Sequence, residues 1–318
     1  MRHTIFRCPG KLMLFGEHVV LEGAPAVTTP LVMELIAQWT VMDEAFELFL
    51  GEPNRKSVLE ILGLLWDKAG LEQPMRGNIS LASTIPIGQG FGSSAALCAA
   101  FAYLVRNVKA GSFPNFSMIM PTIRPETLSA KDRMAVWTLA NEAEQLIHGK
   151  ASGIDTGAVL HPGLTRFAPK PGFPPDSKRL EPLGAWLVYG NVPRTVDAKT
   201  CIAMVQAHKG SAPYLKLAEI AAVAADTMEN RKGKKIIPIV AKLANETLAC
   251  FRYLGILSEP MERLHELALR SGALGGKMCG AGSGGAFWYL AKTREQAIRV
   301  RDNLLAFPAC SFVDIKSI

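Results

Sequence analysis

The chain has 318 residues, 49% of them hydrophobic, and a net charge of +7. That is enough apolar material for one large core or two smaller ones. The positive charge suits an anionic substrate or simply a soluble surface, and the one dense basic run, 231–235, has no interleaved aromatics, which argues against a nucleic-acid partner.

No apolar run approaches bilayer-spanning length, and the first ten residues have no long apolar core, so neither a membrane span nor a signal peptide is expected. The six cysteines are scattered without a Cys-x-x-Cys pair. They read as buried thiols in a reducing compartment, and the expected location is cytoplasmic.

In chain order, Thr4–Arg7 reads as a short strand, Cys8–Lys11 as a turn, and Leu12–Phe15 as an apolar strand. With Gly16-Glu17-His18 following, this stretch alone fits a hairpin with a polar tip. Ala26–Met42 is partly strand-like. Ser57–Trp66 has helical spacing, with Leu59, Ile61, Leu62 and Leu65 on its apolar side. Asn78–Ser83 is a strand leading into Pro86-Ile87-Gly88-Gln89-Gly90-Phe91-Gly92-Ser93-Ser94-Ala95-Ala96, and Ser93–Lys109 is a helix. A proline-interrupted loop spans 111–125. A second long helix, Glu126–Ile147, stops at His148-Gly149. Ser152-Gly153-Ile154-Asp155 then forms a turn ahead of an apolar strand, Ala158–Leu160. Pro169, Pro171, Pro174 and Pro175 crowd one segment, the expected domain boundary, though a surface loop within one domain fits as well. Beyond it come a strand at Ala185–Tyr189, helices at Tyr214–Glu229, Ile236–Leu254 and Pro260–Ser271, and a strand at Phe287–Leu290. Mixed patterns of this kind predict an α/β or α+β chain.

The glycine stretch at 86–96 carries the chemistry. Glycines let backbone N–H groups approach a ligand closely, and a helix start adds unpaired N–H groups and partial positive charge. Together they form a phosphate cradle, with Ser93 and Ser94 able to cap the helix or reach a phosphate-bound metal. A P-loop is excluded, because Ser-Ser-Ala-Ala follows Gly92 where Lys and Ser or Thr are required. A dinucleotide fingerprint from Gly90 lacks the acid it needs, since no Asp or Glu occurs between Ala96 and Pro125. By themselves the glycines also fit an ordinary turn before a capped helix. Glu144, in the last turns of a helix where an acid opposes the dipole, fits a cation partner, with Glu142 as the alternative. Asp155 alone is equally a turn-forming residue.

Four segments together resemble one family, the GHMP kinases, in the form seen in its mevalonate kinase branch. They are Pro9-Gly10-Lys11 through Leu14-Phe15-Gly16-Glu17-His18, the stretch from Pro86 to Ala96, Ser152-Gly153-Ile154-Asp155, and Lys277-Met278-Cys279-Gly280-Ala281-Gly282-Ser283-Gly284-Gly285. The last departs from the family pattern at Cys279, for Thr, and Ser283, for Gly. The resemblance implies an α+β GHMP two-domain fold: an N-terminal ribosomal-S5-like α/β domain over 1–175 and a C-terminal ferredoxin-like α+β domain over 176–318. It implies ATP-dependent phosphorylation of the mevalonate 5-hydroxyl, with ATP and Mg²⁺ as cofactors. The partner is then a small molecule, with no nucleic acid and no membrane, and a homodimer is admitted. By the same resemblance Asp155 is the catalytic base, with Lys11 beside it. Pro86, Gly88, Gln89, Gly90, Phe91, Gly92, Ser93, Ser94 and Ala95 bind ATP, and Ser94 and Glu144 hold the metal. Glu17, His18, Thr195, Gly280 and Ala281 contact substrate, with Arg194 or Lys199 for its carboxylate.

Overall fold

The computed structural model describes residues 2–49, 55–72, 75–109, 122–231 and 233–318. Its contacts cluster into two compact units. Unit 1 is Met1–Lys11, Pro30–Ile87 and Gly92–Pro162; unit 2 is Leu12–Thr29, Gly88–Phe91 and Gly163–Ile318.

Unit 1 holds a sheet built from β1 (Arg2–Phe15), β2 (Ala26–Ala45), β3 (Glu47–Phe49), β4 (Arg76–Ser83) and β5 (Thr122–Ile123), in the order β3-β4-β2-β1-β5. Both β1 and β2 run on into unit 2. The turn expected at Cys8–Lys11 is absent, and β1 is one strand of 14 residues. Its alternation of buried Thr4, Phe6, Cys8 and Gly10 runs through Pro9 unbroken, and that period holds the strand together. Among the described residues four α-helices complete the unit: α1 (Arg55–Lys68), α2 (Ser93–Lys109), α3 (Ala130–His148) and α4 (Ile154–Leu160). Apart from half-buried Leu97, helix α2 is buried from Ala95 through Val105, as an apolar helix must be when neighbours cover it on nearly every side. Its alanines let α1, α3 and α4 approach closely. Phe6 of β1 stacks on Tyr103 of α2, ring centres 4.5 Å apart.

Two expectations change here. The helix expected from Glu126 begins at Ala130, after a 3-10 turn at Pro125–Thr127; Ser129 caps it by accepting from the Asp132 amide. The stretch Ala158–Leu160 is helical, within α4, and Asp155 lies in that helix's first turn. A short apolar run buried on all sides has the same periodicity in a strand and in a helix, so the pattern could not separate them. Most of the loop expected at 111–125 lies outside the described residues.

In unit 2 the chain lays down β6 (Thr165–Ala168), β7 (Asp176–Arg179), β8 (Trp186–Val192), α5 (Ala198–Ala207), α6 (Ala212–Asn230), α7 (Ile237–Tyr253), α8 (Glu259–Arg270), β9 (Gly275–Met278), β10 (Gly285–Ala291), α9 (Arg294–Leu305) and β11 (Phe312–Ser317). An antiparallel sheet has the order β11-β8-β10-β9, with Trp288 opposite Tyr189 and Lys277. Helix α7 packs on β9, α6 packs on α7, and α9 packs on β11 and β8. The Ala26–Thr28 end of β2 pairs with β6, and β6 pairs with β7. The proline-rich stretch is therefore the connection of the β6–β7 hairpin, and position 175, the expected boundary, falls inside unit 2. Prolines without free N–H groups suit a connection that leaves the ladder.

Candidate active site

In unit 1, Lys11 on β1 reaches Asp155 on α4: Nζ lies 2.8 Å from Oδ1. The lysine side chain is 6% exposed and the aspartate 45%, so the carboxylate stays open to a ligand while its partner is enclosed. The start of α4 favours a negative charge there. Gly92, the last glycine before α2, has φ +80°, and a Cβ on it would sit 2.7 Å from Lys11 Cγ. Only glycine lets the loop lie against that lysine stem.

Glu144 is buried on α3, and its Oε1 accepts a 2.6 Å hydrogen bond from Ser94 Oγ, in the first turn of α2. Burial, and then the negative charge of Asp155, push the Glu144 carboxyl up to about 7; Ser94 and Lys11 oppose the shift. Two carboxylates, one buried and one open, thus lie within the influence of one ammonium. Such a surplus of negative charge, carried by oxygen donors, fits a hard divalent cation. Among the described residues no cluster of three or more His, Cys, Asp or Glu could hold a metal.

The two acids are held in relation by Trp137, one α3 turn pair upstream of Glu144. Its Nε1 donates to the Gly153 carbonyl at 2.8 Å, at the start of α4. At the other end of α4, the His161 ring sits edge-on to Trp137, 4.8 Å between centres, with Nδ1 2.8 Å from the Gly157 carbonyl. No local sequence pattern signals this hydrogen bond, which joins positions 16 apart.

Pro86, Ser93 and Ala95 also belong to unit 1; unit 2 holds Gly88–Phe91 and the residues expected against substrate. Gln89 accepts from the Ala286 amide at 2.7 Å, and Phe91 is fully buried against Phe312, so Phe91 has only its backbone to offer. His18 adopts φ +65°, its ring edge-on to Phe251. Burial and then the charge of Lys277 pull His18 down to about 4, against opposing contacts with the Gly280 and Ala281 backbone, so the ring is neutral. Its Nε2 is buried and makes no hydrogen bond among the described residues.

The Glu17 carboxylate is only 3% exposed and accepts from Lys277. Glu17, expected against substrate, is thus engaged by a buried ammonium. The Thr195 hydroxyl donates to the Ser283 carbonyl at 3.3 Å, and Asp197 caps α5. Arg194 lies half-buried among glycines. Side chains at Gly90 and Gly280 would come within 3.5 and 3.1 Å of its Nη2, and Nε makes no hydrogen bond among the described residues. Lys199 is exposed on α5. The departures at 279 and 283 are both accommodated. The Cys279 thiol donates to the Met13 carbonyl at 3.2 Å, and Ser283 takes the left-handed conformation, φ +54°, that a glycine would.

Comparison with known proteins bears on the family and the fold. Residues 56–163 match the family model "GHMP kinases N terminal domain", and residues 234–309 match "GHMP kinases C terminal". The mevalonate kinase of Pyrococcus furiosus is 25% identical, over 94% of this chain and 92% of its own length. Among solved structures, L. major mevalonate kinase in complex with R-mevalonate superposes with a TM-score of 0.75 at 19% identity, covering 99% of this chain and 95% of that one. Streptococcus pneumoniae phosphomevalonate kinase superposes with a TM-score of 0.73 at 14% identity, covering 99% of this chain and all of that one, so the backbone alone does not separate acceptors. With matches in both halves and the acidic pair, lysine and glycine loop in family order, the chain belongs to the GHMP kinases, ATP-dependent kinases of small molecules.

Proposed function

We propose that the protein is a mevalonate kinase, transferring the γ-phosphoryl group of ATP to the 5-hydroxyl of mevalonate to give 5-phosphomevalonate and ADP in isoprenoid precursor synthesis. The observation that carries this reading is the Lys11–Asp155 pair beside the Ser94–Glu144 hydrogen bond. Similarity to mevalonate kinases over nearly the whole chain supports the choice of acceptor.

Phosphoryl transfer demands positioning, charge neutralisation and a route for the hydroxyl proton. Backbone N–H groups from Gly88 to Ala95, with Pro86 shaping the loop entry, hold the ATP phosphates. Ser94 and Glu144 hold Mg²⁺, which offsets phosphate charge when bound. Asp155 accepts the hydroxyl proton as the new O–P bond forms, since a carboxylate is too weak a base to remove it beforehand. Lys11, in contact with Asp155, stabilises negative charge developing on the acceptor oxygen. His18, Gly280 and Ala281 contact the acceptor, with Thr195 in support. Arg194 provides the cation for the acceptor carboxylate: a guanidinium among glycines leaves room for an anion, whereas Lys199 stands in solvent. A cytoplasmic enzyme fits these substrates.

The test is ADP release with Mg-ATP and a panel of mevalonate, phosphomevalonate, galactose and homoserine. Turnover restricted to mevalonate is expected. Preferential turnover of another acceptor overturns the substrate and keeps the kinase.

A further inference from the structure

Lys277 is a buried cation for which the proposed chemistry has no use. It is 0% exposed on β9. Its Nζ donates to the Glu17 carboxylate and, at 3.1 Å, to the Met278 carbonyl. The rings of Phe15, Phe251 and Trp288 surround it, with centres 5.8 to 5.9 Å away.

Stability is a weak reason for such a pair. Desolvating two ions costs several kcal/mol each, and well-packed apolar replacements are often as stable or more so. The aromatic faces recover part of that loss but do not require an ion. A directional contact between two specific segments is what an apolar pair would lack.

Those segments are informative. Glu17 sits in a tight turn. Gly16 has φ +107° and no room for a Cβ, which would lie 2.7 Å from Ala26. His18 is left-handed at φ +65°, a conformation a non-glycine residue holds only when its surroundings impose it. Val19 and Val20 close the turn onto the Glu17 and Gly16 carbonyls. Lys277 stands three residues before Gly280 and four before Ala281, the backbone groups that His18 faces. One ammonium therefore ties the His18 turn to the strand that delivers Gly280 and Ala281.

We propose that Lys277, acting through Glu17, is a positioning residue that sets His18 against Gly280 and Ala281 for acceptor binding. This rests on the reading that these three residues contact the acceptor.

The test compares Glu17→Gln, Lys277→Met and the double apolar variant Glu17→Met/Lys277→Met by thermal melting and by separate KM values for acceptor and ATP. Loss of positioning predicts an acceptor KM raised about tenfold or more, with the KM for ATP shifted less than about twofold. Lys277→Met, which leaves a buried carboxylate alone, is expected to melt early. The double variant is expected to regain the wild-type melting point and keep the raised acceptor KM. A double variant with wild-type acceptor KM overturns the proposal and makes the pair mere packing. So does an unchanged acceptor KM in Glu17→Gln, the mildest change, which keeps an oxygen for Lys277. Wild-type enzyme supplies the control. If it turns over a different acceptor, the substrate reading fails, and the same comparison made with that acceptor still decides the role of Lys277.

Discussion

Asp155 and Glu144 are both carboxylates in unit 1, yet their surroundings divide their tasks. Asp155 is 45% exposed beside Lys11, whereas Glu144 is enclosed and held by Ser94. Replacing Asp155 with Asn removes the proton acceptor and keeps the shape. Turnover should fall about a thousandfold, while nucleotide binding, followed by titration, stays near wild type. Normal turnover in that variant would reassign the base. Glu144 makes a pH prediction. Its carboxyl is raised from 4.5 to about 7. The folded state thus binds the proton more tightly than the unfolded chain does. Its contribution to stability is complete below pH 4.5 and is lost as pH rises through 7. In Mg²⁺-free buffer the melting point of wild type should therefore fall more steeply between about pH 5 and 8 than that of Glu144→Gln. Parallel profiles for the two proteins would remove the raised carboxyl from the account.

At the scale of elements, α3 and α4 behave as one support. Helix α3 carries Glu144 and, through Trp137, holds the left-handed Gly153 that starts α4 two residues before Asp155. The Gly157 amide, at 2.9 Å, and Thr156 Oγ1, at 3.2 Å, also donate to the Gly153 carbonyl, so that oxygen keeps two donors if the indole is lost. Trp137→Phe retains most of the packing and removes the N–H. It should cost about 1 kcal/mol of stability by denaturant unfolding. It should also lower kcat several-fold with little change in the KM for ATP, because Asp155 moves and the phosphate loop does not. Stability loss with kcat intact would make Trp137 a packing residue only.

For the molecule as a whole, the consequence lies in how the units draw on the chain. Unit 2 includes Leu12–Thr29 together with Gly163–Ile318. A fragment comprising 176–318 therefore lacks Phe15 and Glu17, and Lys277 would be left buried without its carboxylate. That alone costs about 3–5 kcal/mol, a large share of a net domain stability of about 5–15 kcal/mol. The fragment should show no cooperative melt by circular dichroism, whereas the full chain should. A sharp transition in the fragment would establish it as an autonomous domain.

Much of the candidate site is legible in the linear chain because it is locally encoded. The glycines and serines at 88–94 specify a loop entering a helix, whatever surrounds them, through backbone freedom and capping. The resemblance of short motifs then names Lys11, Glu144 and Asp155. Helices such as α6, α7 and α8 are visible for the same reason, since periodic burial is written in consecutive residues. What the sequence left open depends on burial from every side or on partners far apart. The helix at Asp155 and the strand running through Pro9-Gly10 are instances of the first. The second includes the Lys277–Glu17 pair, joined across 260 positions, and the Ser94–Glu144 bond, joined across 50. Only the packed fold brings such groups together, because whether a charge is exposed, paired or held neutral is set by which atoms displace its water, and those atoms come from elsewhere in the chain.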